Sequence, residues 1–193
     1  MCTLIIRWHP GDDWPLIIGG NRDEMKTRQS KPPGRHWPDR PEIIAGIDET
    51  AGGSWLGVND FGVVAAILNR SNSLGPKEGK RSRGELVLEA LDHADASDAA
   101  EAITSINEKA YRSFNMILAD NRDAFWIKHT ETDSIALNSI PEGISMITAD
   151  DLNDIKSPRI AKYLKRIRKA SVPNPGTNDC DAWQKVLADQ SEY

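Results

Sequence analysis

A cysteine stands at position 2 of the 193-residue chain, in Met1-Cys2-Thr3-Leu4-Ile5-Ile6. Removal of the initiator methionine, which a small second side chain favours, would make Cys2 the N-terminal residue. One residue would then carry both a thiol and a free α-amine. Their ordinary pKa values are about 8.5 and about 7.7–8.0, so both exchange protons near neutrality, and the pair is a nucleophile with its own base. Threonine beside an N-terminal amine is the oxygen version of the same device. Position alone favours a plainer reading: cysteine packs as a small buried hydrophobe, and Cys2 opens an apolar run.

Other polar groups could serve such a thiol. Gly20-Asn21-Arg22-Asp23-Glu24 puts an amide, a guanidinium and two carboxylates at the end of an expected strand. An arginine–carboxylate pair close to a thiol favours the thiolate and orients the amine. The plainer version is a polar turn with an internal salt bridge. Asn69-Arg70, just past the apolar run Val63–Leu68, could offer an amide donor to an oxyanion, or merely cap that strand. Gly52-Gly53-Ser54-Trp55-Leu56-Gly57 reads as a tight turn followed by a core tryptophan.

Other motifs are weaker. Gly75-Pro76-Lys77-Glu78-Gly79-Lys80-Arg81-Ser82 sits between a strand and a helix, as a phosphate loop would. Its glycines are too close together, and Arg81 occupies the Ser/Thr position, so the motif fails. Lys80, Arg81 and Arg83 still crowd a helix N-terminus, either as an anion site or as a solvated basic turn. The basic stretch 156–169 reads as the solvated face of a helix, since no aromatics interleave with its charges. His9, His36, His93 and His129 show no metal-ligand spacing.

These residues need a scaffold. Thr3–Trp8 and Pro15–Ile18 read as a hairpin around Pro10-Gly11-Asp12-Asp13, ended by Gly19-Gly20, and such a hairpin would bring Cys2 toward Gly19–Glu24. Residues 25–42, broken by Lys31-Pro32-Pro33-Gly34 and Trp37-Pro38, read as a long loop without regular structure, of the kind that serves as a functional loop or lid. Short strands follow at Ile43–Gly46, Ser54–Val58 and Val63–Leu68. Ser82 and Glu85 fit a capping box for a helix with Leu86, Val87, Ala90, Leu91 and Ala94 inward, and Ser97 fits the cap of a second with Ala102, Ile103, Ile106 and Ala110 inward. Strands return at Phe114–Ala119, Ala124–Lys128, Ser134–Leu137 and Ile144–Ala149. A helix starts at Ser157-Pro158, and a last one carries Trp183, Val186 and Leu187. The order lacks strict βαβ alternation, so a largely antiparallel α+β architecture is expected.

Composition excludes several classes. At 39% hydrophobic and 27% charged the chain is globular, and its net charge of −5 argues against a general nucleic-acid binder. No apolar run approaches the roughly 20 residues of a spanning helix, and no signal peptide is recognisable. Cys2 and Cys180 do not make a disulfide framework, so a reducing cytoplasmic setting is expected.

Taken together, Met1-Cys2-Thr3-Leu4, Asn21-Arg22-Asp23-Glu24, Gly52–Gly57, Asn69-Arg70, Ser82-Arg83-Gly84-Glu85 and Phe114-Asn115 resemble the NRDE family, also named after its animal members the transport-and-Golgi-organisation 2 group. The resemblance implies a single domain over residues 1–193, an N-terminal nucleophile hydrolase-like four-layer αββα sandwich. It implies Cys2 as nucleophile with its amine as base, held by Arg22 and Asp23. Asn69 and a late asparagine, for which Asn153 is the nearest candidate, would serve the tetrahedral intermediate. Asn21, Trp55, Arg70 and Arg83 would meet the substrate. The implied reaction is cleavage of a non-peptide C–N bond in a small-molecule amide, without a cofactor. The alternative from the same resemblance is a non-catalytic carrier of haem or an acyl-lipid, in which Cys2 is a soft ligand or a core residue.

Overall fold

The computed structural model describes residues 2–25 and 27–189. Met1, whose loss the N-terminal thiol requires, and Lys26 of the expected 25–42 loop lie outside them. The described chain runs β1 (Thr3–Trp8), β2 (Leu16–Asn21), β3 (Ser30–Gly34), β4 (Ile43–Asp48), β5 (Leu56–Asn59) and β6 (Val64–Asn69). Helices α1 (Gly84–Leu91) and α2 (Ala96–Thr104) come next, then β7 (Phe114–Ala119), β8 (Ala124–Thr130), β9 (Asp133–Ser139) and β10 (Gly143–Ile147). Helices α3 (Pro158–Lys169) and α4 (Asp181–Leu187) end it. The chain forms two compact units, one of Met1–Asp23 with Pro141–Tyr193, the other of Glu24–Ile140.

In the first unit the strand order is β10-β1-β2, antiparallel throughout. Alternation along β1 sends Ile5 to one face, where it packs with Met146, Ile160, Tyr163, Leu164, Ile167, Trp183 and Val186. That face is covered by α3 and α4. The apolar stripe of α3 recurs every three or four residues, as a one-sided helix requires, and its basic residues other than buried Arg159 lie off that stripe. The sequence ended β2 at Gly19-Gly20, yet the strand continues to Asn21. Glycine is what allows it: a Cβ on Gly20 would sit 2.4 Å from Leu4 Cδ2 and 2.9 Å from the Thr3 carbonyl oxygen.

In the second unit seven strands follow one another in chain order, β3 to β9, all antiparallel. Ala65, Phe114, Met116, Leu118 and Ile127 point to the face covered by α1 and α2, where they meet Leu86, Leu91, Ala99 and Ile103. Each large apolar side chain buried this way contributes about 1.5–3 kcal/mol. Lys31-Pro32-Pro33-Gly34, expected to be loop, forms most of β3. Proline is tolerated there because β3 is the edge strand and the ladder slips register between Lys31 and Gly34.

Both helix caps differ from expectation. Glu85 does not reach back to Ser82: it accepts from the Tyr111 hydroxyl at 2.5 Å and pairs with Arg81 at 2.6 Å, so the capping box is not formed. Helix α2 is capped by Asp95, whose carboxylate accepts from the Asp98 N–H at 3.0 Å and from the Ser97 hydroxyl at 2.9 Å. A charged acceptor at a helix N-terminus satisfies orphan donors and meets the positive end of the dipole, so Asp95 outcompetes Ser97.

Candidate active site

The N-terminal hairpin fixes the surroundings of Cys2. Thr3 pairs with Asn21 and Leu4 with Gly20, so the register carries Cys2 to the segment that follows Asn21. There the thiol meets the main chain of Asp23. The Asp23 N–H donates to Cys2 Sγ at 3.3 Å, and Sγ lies 3.6 Å from the Asp23 carbonyl oxygen. The same residue can thus receive a thiol proton and donate to a thiolate. Cys2 is half-buried, and alternation from Ile5 puts it with Leu4 and Ile6 on the sheet face away from α3 and α4. Continuing the register sets Arg22 beside it.

Asn21 and Asn153 are placed differently. Asn21 shares the helix-covered face with Gly19, whose Cβ would touch Trp183, and its Nδ2 donates to the Leu187 carbonyl at 3.4 Å. Its amide therefore ties β2 to the end of α4, and its Oδ1 is buried without a hydrogen-bond partner. Asn153 is hooked onto the edge of β10. Its Oδ1 accepts from the Met146 N–H at 2.9 Å, its own N–H donates to the Met146 carbonyl at 2.9 Å, and its Nδ2 donates to Ser145 Oγ at 3.0 Å. Met146 pairs with Ile5, three rungs beyond Cys2, which is about 10 Å along a strand. All three polar groups of Asn153 are engaged there.

In the second unit Asn69 ends β6 and pairs with Phe114. Asn69 is half-buried, and its side-chain amide has no hydrogen-bond partner among the described residues. The neighbouring Arg70 donates to the Oδ1 of buried Asn115 at 2.6 Å, and that oxygen also accepts from Trp126 Nε1 at 3.1 Å. Both partners are donors only, so the orientation of the Asn115 amide is determined by them. Trp55 packs against β4: a Cβ on Gly46 would fall 2.5 Å from its ring.

The basic turn is committed within the fold. Lys80 Nζ donates to the carbonyls of Lys109 at 2.8 Å and Tyr111 at 3.2 Å, and Arg81 pairs with Glu85. Arg83 Nη1 donates to the Ser73 carbonyl at 2.8 Å, Ser73 Oγ at 3.0 Å and the Ser113 carbonyl at 2.9 Å. Burial, aided by the like charge of Arg112, pushes the Arg83 guanidinium down to about 10, still charged at neutral pH. Arg83, expected to meet substrate, instead holds backbone. Sequence reasoning missed Ser73 and Arg112, its companions, and it missed Asn59. Asn59 is buried and bonds through both ends of its amide, to Leu91 and His93 carbonyls and to the Phe61 and Val63 N–H groups. Among the described residues no group of three or more His, Cys, Asp or Glu could hold a metal ion, and no helix is long and apolar enough to cross a membrane.

Comparison with solved structures defines the class. The chain has an α+β fold of the N-terminal nucleophile hydrolase type: it matches the Caenorhabditis elegans N-acylethanolamine-hydrolyzing acid amidase ortholog with a TM-score of 0.72, over 98% of this chain and 86% of that one. A C2A mutant of conjugated bile acid hydrolase from Clostridium perfringens matches with a TM-score of 0.52, over 90% of this chain and 59% of that one. Identity to each is 12%, so the likeness is one of fold. The chain belongs to the Transport and Golgi organisation 2 family, whose model matches residues 1–192. Its human homolog is 31% identical over 160 residues, covering 75% of this chain and 56% of that protein. The mouse homolog is 33% identical over 129 residues, covering 62% of this chain and 45% of that protein. The chain thus spans about half the length of the curated relatives it matches.

Proposed function

We propose that the chain is a cysteine N-terminal nucleophile hydrolase that cleaves a non-peptide amide bond of a small acyl compound. The observation that carries this reading is the double contact of the Cys2 thiol with the Asp23 main chain. An N–H aimed at sulfur favours the thiolate, the form that attacks. In the reaction Sγ bonds to the carbonyl carbon, and the thiol proton passes through the Cys2 α-amine to the departing nitrogen. The C–N bond breaks, leaving an acyl thioester and a free amine. Water then attacks the thioester, releasing a carboxylic acid and restoring the thiol. Arg22 and Asp23 hold the amine and thiol.

The test begins with intact mass and N-terminal sequencing of natively produced protein, which should lack Met1. Iodoacetamide should then alkylate Cys2 with a midpoint below the ordinary thiol value of about 8.5. Acid quenching during turnover of an N-acyl amide should trap an acyl mass on Cys2, which a carrier of haem or acyl-lipid would not show. A retained Met1 would falsify the reading, because no free amine would then adjoin the thiol.

A further inference from the structure

Charge is unevenly shared along this chain. Residues 156–169, which hold α3, carry seven of the 24 basic side chains and none of the 29 acidic ones, so the rest of the chain has 17 basic against 29 acidic. The fold accounts for part of the cluster. Arg159 is buried, and its Nη2 donates to the Leu187 carbonyl at 3.5 Å. Arg166 Nη1 pairs with Asp189 at 3.4 Å, and Arg168 Nε donates to the Ile144 carbonyl at 3.1 Å. The helix dipole favours cations in the last turn, which holds Arg166, Arg168 and Lys169. Lys165 precedes that turn. It is exposed, as is Lys169, and neither side chain has a partner among the described residues.

Lys162, Lys165 and Lys169 recur at the three- and four-residue spacing that puts side chains on one line along a helix. The large apolar side chains of α3 are all buried, so its outward side shows Pro158, Ala161 and cations. Like charges at this spacing oppose helix formation, and no acidic side chain is interleaved to relieve them. A negatively charged partner would supply that relief. We propose that the outward side of α3 is a docking surface for an anionic lipid bilayer. The outside of a helix is convex and meets a plane without needing a recess. Lysine is a point charge that suits any phosphate, whereas reading one phosphorylated side chain calls for outward arginine forks, and Arg166 and Arg168 are engaged by the protein. No outward aromatic stands among the cations, as stacking with single-stranded nucleic acid would require. On a plane, screening over about 8 Å leaves the near face to dominate, so the acidic remainder of the chain does not prevent contact. Asp150, Asp151 and Asp154 precede the helix and bound the patch at that end, so the contact centres on Lys162–Lys169.

The probe is a vesicle of phosphatidylcholine with phosphatidylserine, compared with phosphatidylcholine alone, and the full chain is floated with each. The chain should rise with the first and not the second, and added salt should release it. Lys165→Glu with Lys169→Glu should weaken binding at least about 20-fold, since each cation near such a surface strengthens it about fivefold. Lys165→Gln with Lys169→Gln gives the same direction of effect if charge reversal does not fold. Lys31→Glu with Lys109→Glu changes net charge equally at exposed positions of the second unit, and should bind within about twofold of the native chain. Equal losses in the two reversals would assign the effect to net charge and overturn the proposal. So would flotation with neither vesicle, equal flotation with both, or salt-sensitive capture by duplex DNA or poly-glutamate without flotation. Free phosphoserine at the concentration of the lipid headgroups should not release the chain. Release would mean a pocket for one headgroup instead of a charged surface, and would likewise overturn it. None of these readouts depends on Cys2 or on hydrolysis.

Discussion

Replacing Asn59 by alanine gives a sharp measure of how the second unit is held together. The amide of Asn59 donates to the Leu91 carbonyl at 2.9 Å and the His93 carbonyl at 2.7 Å, and accepts from the Phe61 N–H at 3.1 Å and the Val63 N–H at 2.9 Å. It thereby joins the end of α1 to the turn between β5 and β6. Truncation orphans four backbone groups. The bonds to Leu91 and Val63 are buried, whereas those to His93 and Phe61 are only partly so and can turn to water. Two buried orphans at about 1–3 kcal/mol each set a loss of about 4 kcal/mol. For a chain of this size that lowers Tm by about 8–16 °C. Asn59→Asp sharpens the test. Its carboxylate still accepts from Phe61 and Val63 but faces two carbonyls where two N–H donors stood, so its pKa must rise in the folded state. A raised folded pKa gives stability that is present at low pH and lost as pH rises through it, so the deficit of Asn59→Asp should shrink on acidification while that of Asn59→Ala stays flat. Thermal unfolding at several pH values reads both. A loss below about 1 kcal/mol for Asn59→Ala, or parallel pH profiles for the two variants, would refute the reasoning.

Two further outcomes are expected. His129 is buried, against the Phe114 ring, and neither ring nitrogen makes a well-formed hydrogen bond, though the Tyr111 backbone lies close. Burial holds its pKa below the ordinary value of about 6.5, so the unfolded chain takes up this proton first and stability falls as pH drops below that value, by at most about 1.4 kcal/mol per pH unit. Urea unfolding between pH 7 and 5 should show this slope reduced in His129→Phe; equal slopes count against it. Gly53→Ala should cost about 1–3 kcal/mol or more, because its Cβ would lie 2.4 Å from the Gly84 carbonyl carbon and 2.7 Å from the Gly84 oxygen, which accepts the Ser54 N–H at 3.0 Å. Hydrogen exchange at Ser54 should rise sharply, and an unchanged Ser54 amide with unchanged Tm would contradict the contact.

The strands were legible because their periods are strong. Val63–Leu68 and Phe114–Ala119 carry apolar residues on both faces, and both are central strands of the large sheet. The N-terminal hairpin was legible as a hairpin, but its register was not. A shift of one residue would have moved Cys2 to the helix-covered face, and only the pairing Thr3 with Asn21 decides it. The edge strand β3 was hidden by its prolines, which forbid a central ladder but not an edge. The caps were misread because Ser82 and Ser97 fit local rules, while Glu85 and Asp95 found better partners, one of them tertiary. The motif Gly52–Gly57 looked like part of a site. Its first half is a backbone joint, with Gly53 and Gly84, two separate motifs of the sequence, meeting where no Cβ fits. Arg83 looked like a ligand cation for the same reason: sequence shows a charge, and only the fold shows the carbonyls around it.

The hook of Asn153 has a consequence for how this molecule meets others. An outer strand offers its neighbours a ready template, and two copies that add strand to strand need consecutive free rungs. On β10 the rung at Met146 is taken, since the Met146 N–H and carbonyl both face Asn153. Asn153 does this with a left-handed backbone, φ 59°, a conformation that asparagine adopts more readily than other non-glycine residues. Asn153 here imitates one residue of an added strand, its own N–H and its side-chain oxygen supplying the two bonds, so a second copy cannot pair at Met146 without displacing it. Any replacement that cannot both bond and turn left would reopen that rung, and the first sign would be oligomers appearing at high concentration.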